Sequence, residues 1–484
     1  MNPTDMTTSS PTSPTSATDP NGPTGRLATW LADLKLDDVP QSVRERAKYL
    51  TLDGLACAIV GAQLPWSRTA VDAVTRLEGP GNSTIIGWGR KISAPAAALL
   101  NGTFIQGFEL DDYHPLAPLH SASLVLPSLL ACAETQGKVS GAKFLLGAIA
   151  GFEVGPRVGL ALHGAEMLSR GWHSGSVFGT HAAAAAAAKI LDLDAARVED
   201  ALGLAGTQSC GLMAAQYEAM SKRMHHGFSA RNGLYAAVLA AGGYTGIKRV
   251  FEREYGGFLS TFGEGHSPDA SQIADGLGQR WETERIVVKP YAAMAGLHSP
   301  LDALFEINAR RPLLANEIEL IEVELSHAVY HHGWWELERP LTPVGAQMNV
   351  GYALAVAVID GAAMVRQFAP QRINRDDVWS LIPRIRVRHN EEFDKLGPAG
   401  RGQSRVRVSF KDGSQLEVYR ASSRSMAQLL TADEIVAKFR TLTNGLIEPA
   451  RQSEILRAVQ SLEELPDIAA LIELLAPQVR PVFE

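Results

Sequence analysis

Hydrophobic positions between Leu27 and Gly257 follow a helical spacing. Ala, Leu, Val and Gly recur there every three or four residues, with few consecutive β-branched residues. This is the period of an α-helix that buries one side. Seven consecutive alanines at 182–188 follow His181, and small side chains on every side of a helix indicate that its neighbours approach closely. The pattern predicts a bundle of packed helices.

Alternating polar and apolar residues predict strands after Trp281. The predicted strands are 285–289, 317–325, 384–388, 405–410 and 415–419, and the last two flank Lys411-Asp412-Gly413, a sequence typical of a hairpin turn. Helical spacing returns from Ala432 to Leu475. We expect this last segment to pack against the first helices.

These patterns predict a mainly α fold with an α+β part. A chain of 484 residues is long enough for more than one domain. We expect a large all-helical domain from residues 25–280 and 431–484, and a smaller α+β domain from residues 281–430. Residues 1–24 are rich in Ser, Thr, Pro and Asp, a composition that predicts a disordered tail.

Composition narrows the class of protein. Hydrophobic residues make up 46% and charged residues 20% of the chain, and the formal net charge is -7. This balance is typical of a globular protein and argues against nucleic acid as the main partner. The longest uninterrupted apolar runs, such as 144–152, are shorter than a membrane span, and the first residues lack the pattern of a secretory signal. We expect a cytoplasmic protein without a membrane segment.

The richest group of candidate catalytic residues lies in one short stretch. Three carboxylates and two imidazoles occur within twelve residues: Glu109, Asp111, Asp112, His114 and His120. Imidazole titrates near neutral pH and carboxylates can orient it, so the stretch predicts a general acid–base loop. The alternative is a solvated loop that caps the next helix through Asp111 or Ser123. Pro115 and Pro118 stiffen the loop beyond what capping needs, which favours the catalytic interpretation.

Basic groups occur at three further places. His173 lies between glycines just before the alanine-rich helix, where it is either a ligand-facing group or a packed core residue. Lys222 and His225 belong to a basic segment, 221–227, that is either a solvated surface or a carboxylate-binding site. Lys289, with His298 beyond it, lies where the helical pattern gives way to strands.

Several other chemistries lack their motifs. The histidine and cysteine spacings match no common zinc motif. The chain has neither GxxxxGK[ST] nor a strand followed by GxGxxG, which argues against nucleotide and nicotinamide cofactors. The three cysteines fit no disulfide framework. We therefore expect an enzyme without metal or cofactor, although a metal-dependent hydrolase and a non-catalytic helical interaction protein remain alternatives.

The catalytic stretch and the other basic segments resemble one known family. The matching segments are Asn101-Gly102-Thr103, 109–112, His120, Leu126-Pro127, Gly171-Trp172-His173, the alanine-rich helix, 222–227, 243–246, Lys289-Pro290-Tyr291 and Tyr352. They resemble the signature of the MmgE/PrpD family over nearly the whole chain after residue 24. Segments 37–67 and 104–127 are most similar to the branch of the family that decarboxylates aconitate.

The resemblance implies an architecture and a set of site residues. It implies a homodimer whose α+β domain is a lid over a site between the domains. It places the active-site acid on Glu109, where most relatives have Asp, and the histidines on His120 and His173. It places the lysines on Lys222 and Lys289. The remaining expected roles are catalytic for Tyr352 and substrate-binding for Asp112, His114, His225 and His298.

The resemblance also implies a reaction. Family members move a proton at a carbon next to a carboxylate, which requires a titratable group and cations for the carboxylate oxygens. The expected substrate is a small tricarboxylate, aconitate in its cis or trans form, which loses carbon dioxide to give itaconate. The expected acid is protonated His120 or His173. The alternative within the family is 2-methylcitrate dehydration, or an epimerase or isomerase reaction on a related acid.

Overall fold

The computed structural model describes residues 15–484. A helical part forms first, and its helices are Pro23–Asp33, Gln41–Gly61, Pro65–Leu77, Ala94–Ile105, Ala122–Gln136, Gly141–Ala161, Gly164–Ser169, Ser174–Ile190, Ala195–Gly206, Ser221–Ala241, Phe258–Phe262 and Ser271–Ala274. A two-stranded antiparallel ribbon, Ser83–Ile85 with Arg90–Ile92, lies among them. The predicted bundle is confirmed.

The alanine-rich helix Ser174–Ile190 packs against helices Gly141–Ala161 and Ser221–Ala241. Every alanine from 182 to 188 is buried. A Cβ atom added to Gly233 would lie only 2.5 Å from the Ala183 Cβ, so this crossing requires a glycine facing an alanine. Because these side chains are small, helix Ser221–Ala241, which carries Lys222 and His225, can pack closely against the alanine-rich helix.

A mixed four-stranded sheet forms the second part. Its strands, in spatial order, are Ile385–His389, Ile318–Leu325, Ser404–Phe410 and Gln415–Arg420. The first pair is parallel and the others are antiparallel. The helices around the sheet are His298–Arg310, His327–Gly333, Pro343–Met348, Val350–Asp360, Pro370–Ile373, Asp376–Leu381, Glu391–Asp394 and Arg424–Ala427. A mainly helical fold with a smaller α+β part is therefore confirmed.

One predicted strand is wrong. Residues 285–289 form no sheet strand; only Val287 makes a two-residue bridge, in which Tyr113 and Val287 exchange backbone hydrogen bonds of 2.8 Å. The apolar run is buried because it passes between the two parts of the molecule, and not because it belongs to a sheet. Its place beside Tyr113 brings Lys289 close to the predicted catalytic loop.

The chain ends on the helical part. Helices Ala432–Thr443, Pro449–Gln460 and Ala469–Leu475 follow the sheet, and the first two pack against Gln41–Gly61. The Lys438 Nζ lies 2.6 Å from the Asp53 carboxylate. This buried ion pair ties the last part of the chain to an early helix.

The predicted disordered tail needs a correction. Residues 1–14 of it lie outside the described residues, but residues 15–24 pack on the helical part. Ala17 is buried, and the Thr18 amide donates a 2.8 Å hydrogen bond to Glu199. Helix Pro23–Asp33 begins inside the predicted tail. Polar composition misled the prediction because these polar groups find partners on the bundle, as Thr24 does with Glu252.

Helix Gly141–Ala161 is the one described helix whose length and composition would allow it to cross a membrane. The expectation based on the run 144–152 missed it, because glycines and isolated charged residues interrupt the apolar sequence. In the structure, 94% of its most apolar window is buried inside the protein. Its apolar surface serves the core of the bundle.

Candidate active site

A cavity of about 230 Å³ lies between the helical part and the sheet-containing part. The titratable side chains that line it are Glu109, Tyr113, His114, His120, His173, Lys222, Lys289, His332 and Arg401. The rest of the lining is mostly apolar and includes Met213, Met294 and Met348. The volume and the mixed lining suit a small polar molecule.

Glu109 is the anionic centre of the cavity wall. It follows a short 3₁₀ turn, Gln106–Phe108, and adopts a left-handed backbone conformation with φ +55°. Its carboxylate accepts hydrogen bonds from Lys222, from Arg223 at 2.6 Å and from Lys289 at 2.9 Å. Lys222 and Arg223 are neighbours in the sequence, whereas Lys289 comes from a separate segment. The resemblance and the structure agree that Glu109, Lys222 and Lys289 lie together.

The charged neighbours of Glu109 determine whether its carboxyl group is ionised. Burial opposes the carboxylate charge, but Lys222, Lys289 and Arg223 together hold the pKa of Glu109 well below its usual range. Burial lowers the pKa of Lys222, and Glu109 counteracts that effect. Glu109 is therefore an ionised carboxylate that fixes cations, and it is unsuited to be a proton donor at neutral pH.

Arg223 and Gln347 connect this cluster to both parts of the molecule. The Arg223 guanidinium donates to the Gln347 side-chain oxygen at 2.7 Å. The Gln347 amide in turn donates to the backbone oxygens of Phe108 and Ala292, at 2.7 and 2.9 Å. The sequence analysis did not identify either side chain as part of the site, because neither carries a distinctive local motif.

His120 is paired with Asp111, a residue that the sequence analysis left as a possible helix cap. The His120 Nδ1 atom lies 3.4 Å from the Asp111 Oδ1 atom, and the carboxylate is fully buried. Burial opposes ionisation of Asp111, but His120 holds its pKa at about 2. An ionised carboxylate beside Nδ1 favours a proton on that nitrogen, which leaves Nε2 for the reaction.

Asp112 has a structural role. Its carboxylate accepts hydrogen bonds from the backbone amides of Ser121 and Ala122, at 3.1 and 3.0 Å, at the start of helix Ala122–Gln136. Burial and the neighbouring Asp111 raise the pKa of Asp112 to about 8. Asp112 therefore holds the start of this helix, in place of Asp111 or Ser123, which the capping alternative named. Glu109 and Asp111 contact the basic groups of the site, and the acid–base role of the loop stays a prediction.

Three histidines form a stacked group beside His120. The Nδ1 atoms of His173 and His225 are 2.8 Å apart, so one donates a hydrogen bond to the other. His226 stacks on His173 with ring centres 5.0 Å apart and approaches His120 at 5.3 Å. Its Nδ1 atom lies 2.7 Å from the Ser123 hydroxyl. The basic segment 221–227 is therefore a buried part of the site, and the solvated-surface alternative is wrong.

Burial keeps this histidine group neutral. It lowers the pKa of His173 well below the usual value, with His226 and Lys222 adding to the effect. It also lowers the pKa of His225 to about 4, with Lys222 as the second cause. A neutral His173 can donate or accept a hydrogen bond, but it carries no ready proton at neutral pH. This observation separates the two histidines that the sequence analysis treated as equal candidates.

His114 lines the cavity and has a fixed tautomer. Its Nδ1 atom accepts a 3.0 Å hydrogen bond from the Ala117 amide, so its Nε2 carries the proton and donates to Glu282 at 3.1 Å. Burial lowers the pKa of His114, although Glu282 opposes that effect. With both nitrogens engaged, His114 shapes the loop around the cavity.

Lys438 anchors the predicted acid–base loop, residues 109–120, through a hydrogen bond to its backbone. Its ammonium donates a 2.7 Å hydrogen bond to the Leu110 carbonyl and also pairs with Asp53. Leu110 lies between Glu109 and Asp111, so this bond fixes the peptide that separates the two ionised carboxylates. The sequence gave no local signal for it, because the two residues are 328 positions apart.

Three predicted site residues, besides Asp112, do not line the cavity. The Tyr352 hydroxyl donates a 2.6 Å hydrogen bond to the Gln367 carbonyl, and its ring packs against Phe368. His298 is fully buried and contacts the Ala293 carbonyl through Nε2 at 3.0 Å. His225 lies behind His173. The geometry does not support direct substrate contact by Tyr352 or His298, because both face the protein interior.

His332 and Arg401 also line the cavity. The sequence analysis did not place either residue in the site. Burial and the positive charge of Arg401 lower the pKa of His332 to about 3. No local motif marks either residue; only the fold brings them into the same cavity as Lys222 and Lys289.

The described residues contain no group of three or more His, Cys, Asp or Glu side chains placed to hold a metal ion. Within residues 15–484 the cysteines are free: Cys57 and Cys132 are buried and Cys210 is exposed. The expected independence from metals is a prediction to be tested by chelation.

Two family models match the chain. The MmgE/PrpD N-terminal domain matches residues 25–271, which include the catalytic loop and the histidine group. The MmgE/PrpD C-terminal domain matches residues 291–464, which include the sheet and Arg401. Apart from Lys289, which lies between the two matched regions, the lining residues of the cavity lie within them.

Curated proteins match over nearly the whole chain. The cis-aconitate decarboxylase-like protein oryM of Aspergillus oryzae is 45% identical, with 94% of this chain and 98% of the relative covered. A cis-aconitate decarboxylase of Aspergillus terreus is 44% identical, covering 93% and 95%. The human cis-aconitate decarboxylase is 27% identical, covering 93% and 94%. On the strength of both domain matches and these full-length relatives, the chain belongs to the MmgE/PrpD family.

Proposed function

We propose that this protein decarboxylates aconitate to itaconate. Relatives more than 40% identical over nearly the full chain carry the name cis-aconitate decarboxylase. The single structural observation that carries the proposal is the lining of the cavity. Lys222, Lys289 and Arg401 line one small cavity together with His120. A tricarboxylate is a small anion that needs several cations and one acid.

The reaction breaks one carbon–carbon bond and moves one double bond. The bond between the methylene carbon and its carboxylate breaks, carbon dioxide leaves, and the electron pair forms a new terminal double bond. The electrons of the original double bond move to the vinylic carbon, which takes a proton. The trianion and one proton thus give the itaconate dianion and carbon dioxide.

The cations stabilise the charge that develops during this step. Negative charge on the vinylic carbon spreads onto the oxygens of the carboxylate attached to it. Ammonium groups at Lys222 and Lys289, fixed in advance by Glu109, are placed to hold such oxygens. Charge stabilisation by preorganised groups in a partly dry cavity is worth more than the same contacts in water.

His120 is the proposed proton donor. It lines the cavity, it is oriented by ionised Asp111, and its side chain is 17% exposed, so it can recover a proton from solvent. His173 is held neutral by burial and by its cationic neighbours, so its role is to bind or orient the substrate. We therefore propose His120, rather than His173, as the proton donor.

The first experiment follows product and isotope together. Purified protein with a chelator is incubated in D₂O with cis-aconitate, trans-aconitate or 2-methylcitrate, and products are followed by NMR with carbon dioxide release. The expected product is itaconate with one deuterium on its methylene carbon. 2-Methylaconitate without carbon dioxide would replace the proposal with a dehydratase, and loss of activity on chelation would contradict metal independence.

Matched variants test the proton donor. H120N is expected to lower kcat by about 10²- to 10⁴-fold, the range for a lost general acid. H331N changes an exposed histidine outside the cavity lining and serves as the control with unchanged kcat. Full activity of H120N would refute the assignment.

We further propose a homodimer in a reducing, cytoplasmic setting. An apolar surface on helix Ser221–Ala241 and the adjoining loops supports the dimer; its exposed residues are Leu212, Tyr217, Met220, Tyr235, Val238, Leu239 and Tyr244. Such contiguous apolar surfaces commonly mark interfaces. The free thiols are compatible with a reducing compartment. Light scattering would test the dimer, and a monomer at micromolar concentration would contradict it.

A further inference from the structure

We infer that Arg401 is the specificity residue that holds a separate carboxylate of the substrate, on the wall that the sheet-containing part contributes to the cavity. This inference rests on the proposed function and deepens it, because it assigns the group that distinguishes a tricarboxylate from a dicarboxylate.

The argument begins with the charges that are already paired. Lys222, Arg223 and Lys289 all donate to the carboxylate of Glu109. Arg401 differs: its guanidinium makes no salt bridge or hydrogen bond with any side chain that the structure describes in residues 15–484. It nevertheless lines the same cavity. Among the described cations of the wall, Arg401 is the one without a salt bridge, and only the more distant Glu166 acts on its charge.

An unpaired guanidinium in a cavity wall is costly. Removing a cation from water without a partner disfavours the folded state, so buried charges are normally paired. Burial lowers the pKa of Arg401, although the more distant Glu166 opposes that effect. An anionic ligand that enters the cavity would offset this cost, which gives the position a binding role.

The local structure holds Arg401 in place for that role. The Ser326 hydroxyl donates a 2.8 Å hydrogen bond to the Arg401 carbonyl, just before strand Ser404–Phe410. Gly402 and His332 lie beside it in the cavity wall. A guanidinium can bind both oxygens of a carboxylate at once, and His332, neutral beside this cation, can add a further hydrogen bond.

Lys222 and Lys289 beside Glu109, and Arg401 on the sheet-containing part, provide separate positive charges that the carboxylates of a ligand must match. A site built to bind a polar group rejects analogues that lack it more strongly than an apolar pocket does. The inference therefore predicts that Arg401 discriminates between acids by the number and position of their carboxylates.

Binding of unreactive acids tests this without turnover. Calorimetry would measure the Kd of tricarballylate, glutarate and methylsuccinate for the wild type, R401Q, R401K and the control R386Q, which changes an exposed strand arginine. R401Q is expected to weaken tricarballylate by about 10- to 100-fold, the range for a lost charged hydrogen-bonding group. One dicarboxylate, the one that lacks the group held by Arg401, should bind R401Q and wild type within about twofold. R401K should be intermediate, and R386Q should match the wild type.

The outcomes separate the inference from the proposed function. Equal weakening of all three acids by R401Q, or a lowered thermal midpoint that accounts for the loss, would assign Arg401 a structural role and overturn the inference. Unchanged tricarballylate binding would also overturn it. If the wild type fails to decarboxylate aconitate but R401Q weakens tricarballylate selectively, the proposed function falls and the carboxylate site stands.

Discussion

Replacing Lys438 with Met should lower both the stability and the activity of the protein, each for a different reason. The Lys438 and Asp53 side chains are only 6% and 1% exposed and lie 2.6 Å apart. Although burial opposes its charge, Asp53 holds the pKa of Lys438 above the ordinary value. Removing one partner of a buried pair leaves an uncompensated charge, which costs about 3–5 kcal/mol. K438M should therefore lower the thermal midpoint by several degrees.

The second effect concerns activity. K438M also removes the hydrogen bond to the Leu110 carbonyl, and a bond to a charged group contributes about 1.5–3 kcal/mol. If the loop depends on it, kcat/KM should fall by about 10- to 100-fold. The double variant D53N/K438M removes the stranded carboxylate but does not restore the loop bond. It should recover much of the lost thermal stability while remaining slow.

Thermal denaturation and steady-state decarboxylation on the same samples would check both effects. A K438M protein as stable as the wild type would refute the buried-pair argument. A double variant that regains activity along with stability would refute the separate role of the Leu110 bond, since stability alone would then explain the slow single variant.

Three further predictions follow from the site. Y352F should keep kcat/KM within about threefold and lose about 1–3 kcal/mol of stability, because only the Gln367 carbonyl loses a partner; a hundredfold loss of kcat would place the hydroxyl on the substrate. E109Q should lower both the thermal midpoint and kcat, since three buried cations lose their counter-charge; normal melting and turnover would contradict this. Between pH 6.5 and 4 the unfolded chain binds a proton at His225 that the folded protein refuses, so stability should fall as pH falls, and H225Q should reduce that slope in thermal melts; an unchanged slope would refute the assignment.

The sequence predicted best where one residue type decides the packing. The alanines at 182–188 could only serve a close helix crossing, and strand 318–325 shows its alternation directly. The sequence could not decide whether segment 221–227 was solvated, since that depends on Glu109, more than a hundred residues away. The sequence gave no sign of Arg401 for the same reason, because its proposed binding role depends on the cavity that it lines in the folded protein.

Two expectations from the sequence differ from the structure for the same physical reason. Tyr352 was placed in the site by resemblance, but its position on helix Val350–Asp360 directs the hydroxyl to Gln367. Residues 285–289 have the composition of a strand, but their burial comes from the boundary between the two parts of the molecule. In both cases the tertiary surroundings, which neither resemblance nor local composition contains, determined where the residues lie.

The bond between Lys438 and Leu110 also bears on how the protein is made. The residues it joins are 328 positions apart, and a ribosome adds roughly 5–20 residues per second. The segment around Leu110 therefore emerges many seconds before its lock is synthesised. The earlier helices can pack on one another first, but the Leu110 carbonyl gains this hydrogen bond only after helix Ala432–Thr443 has been made. The loop that carries Glu109 and Asp111 is therefore completed near the end of synthesis.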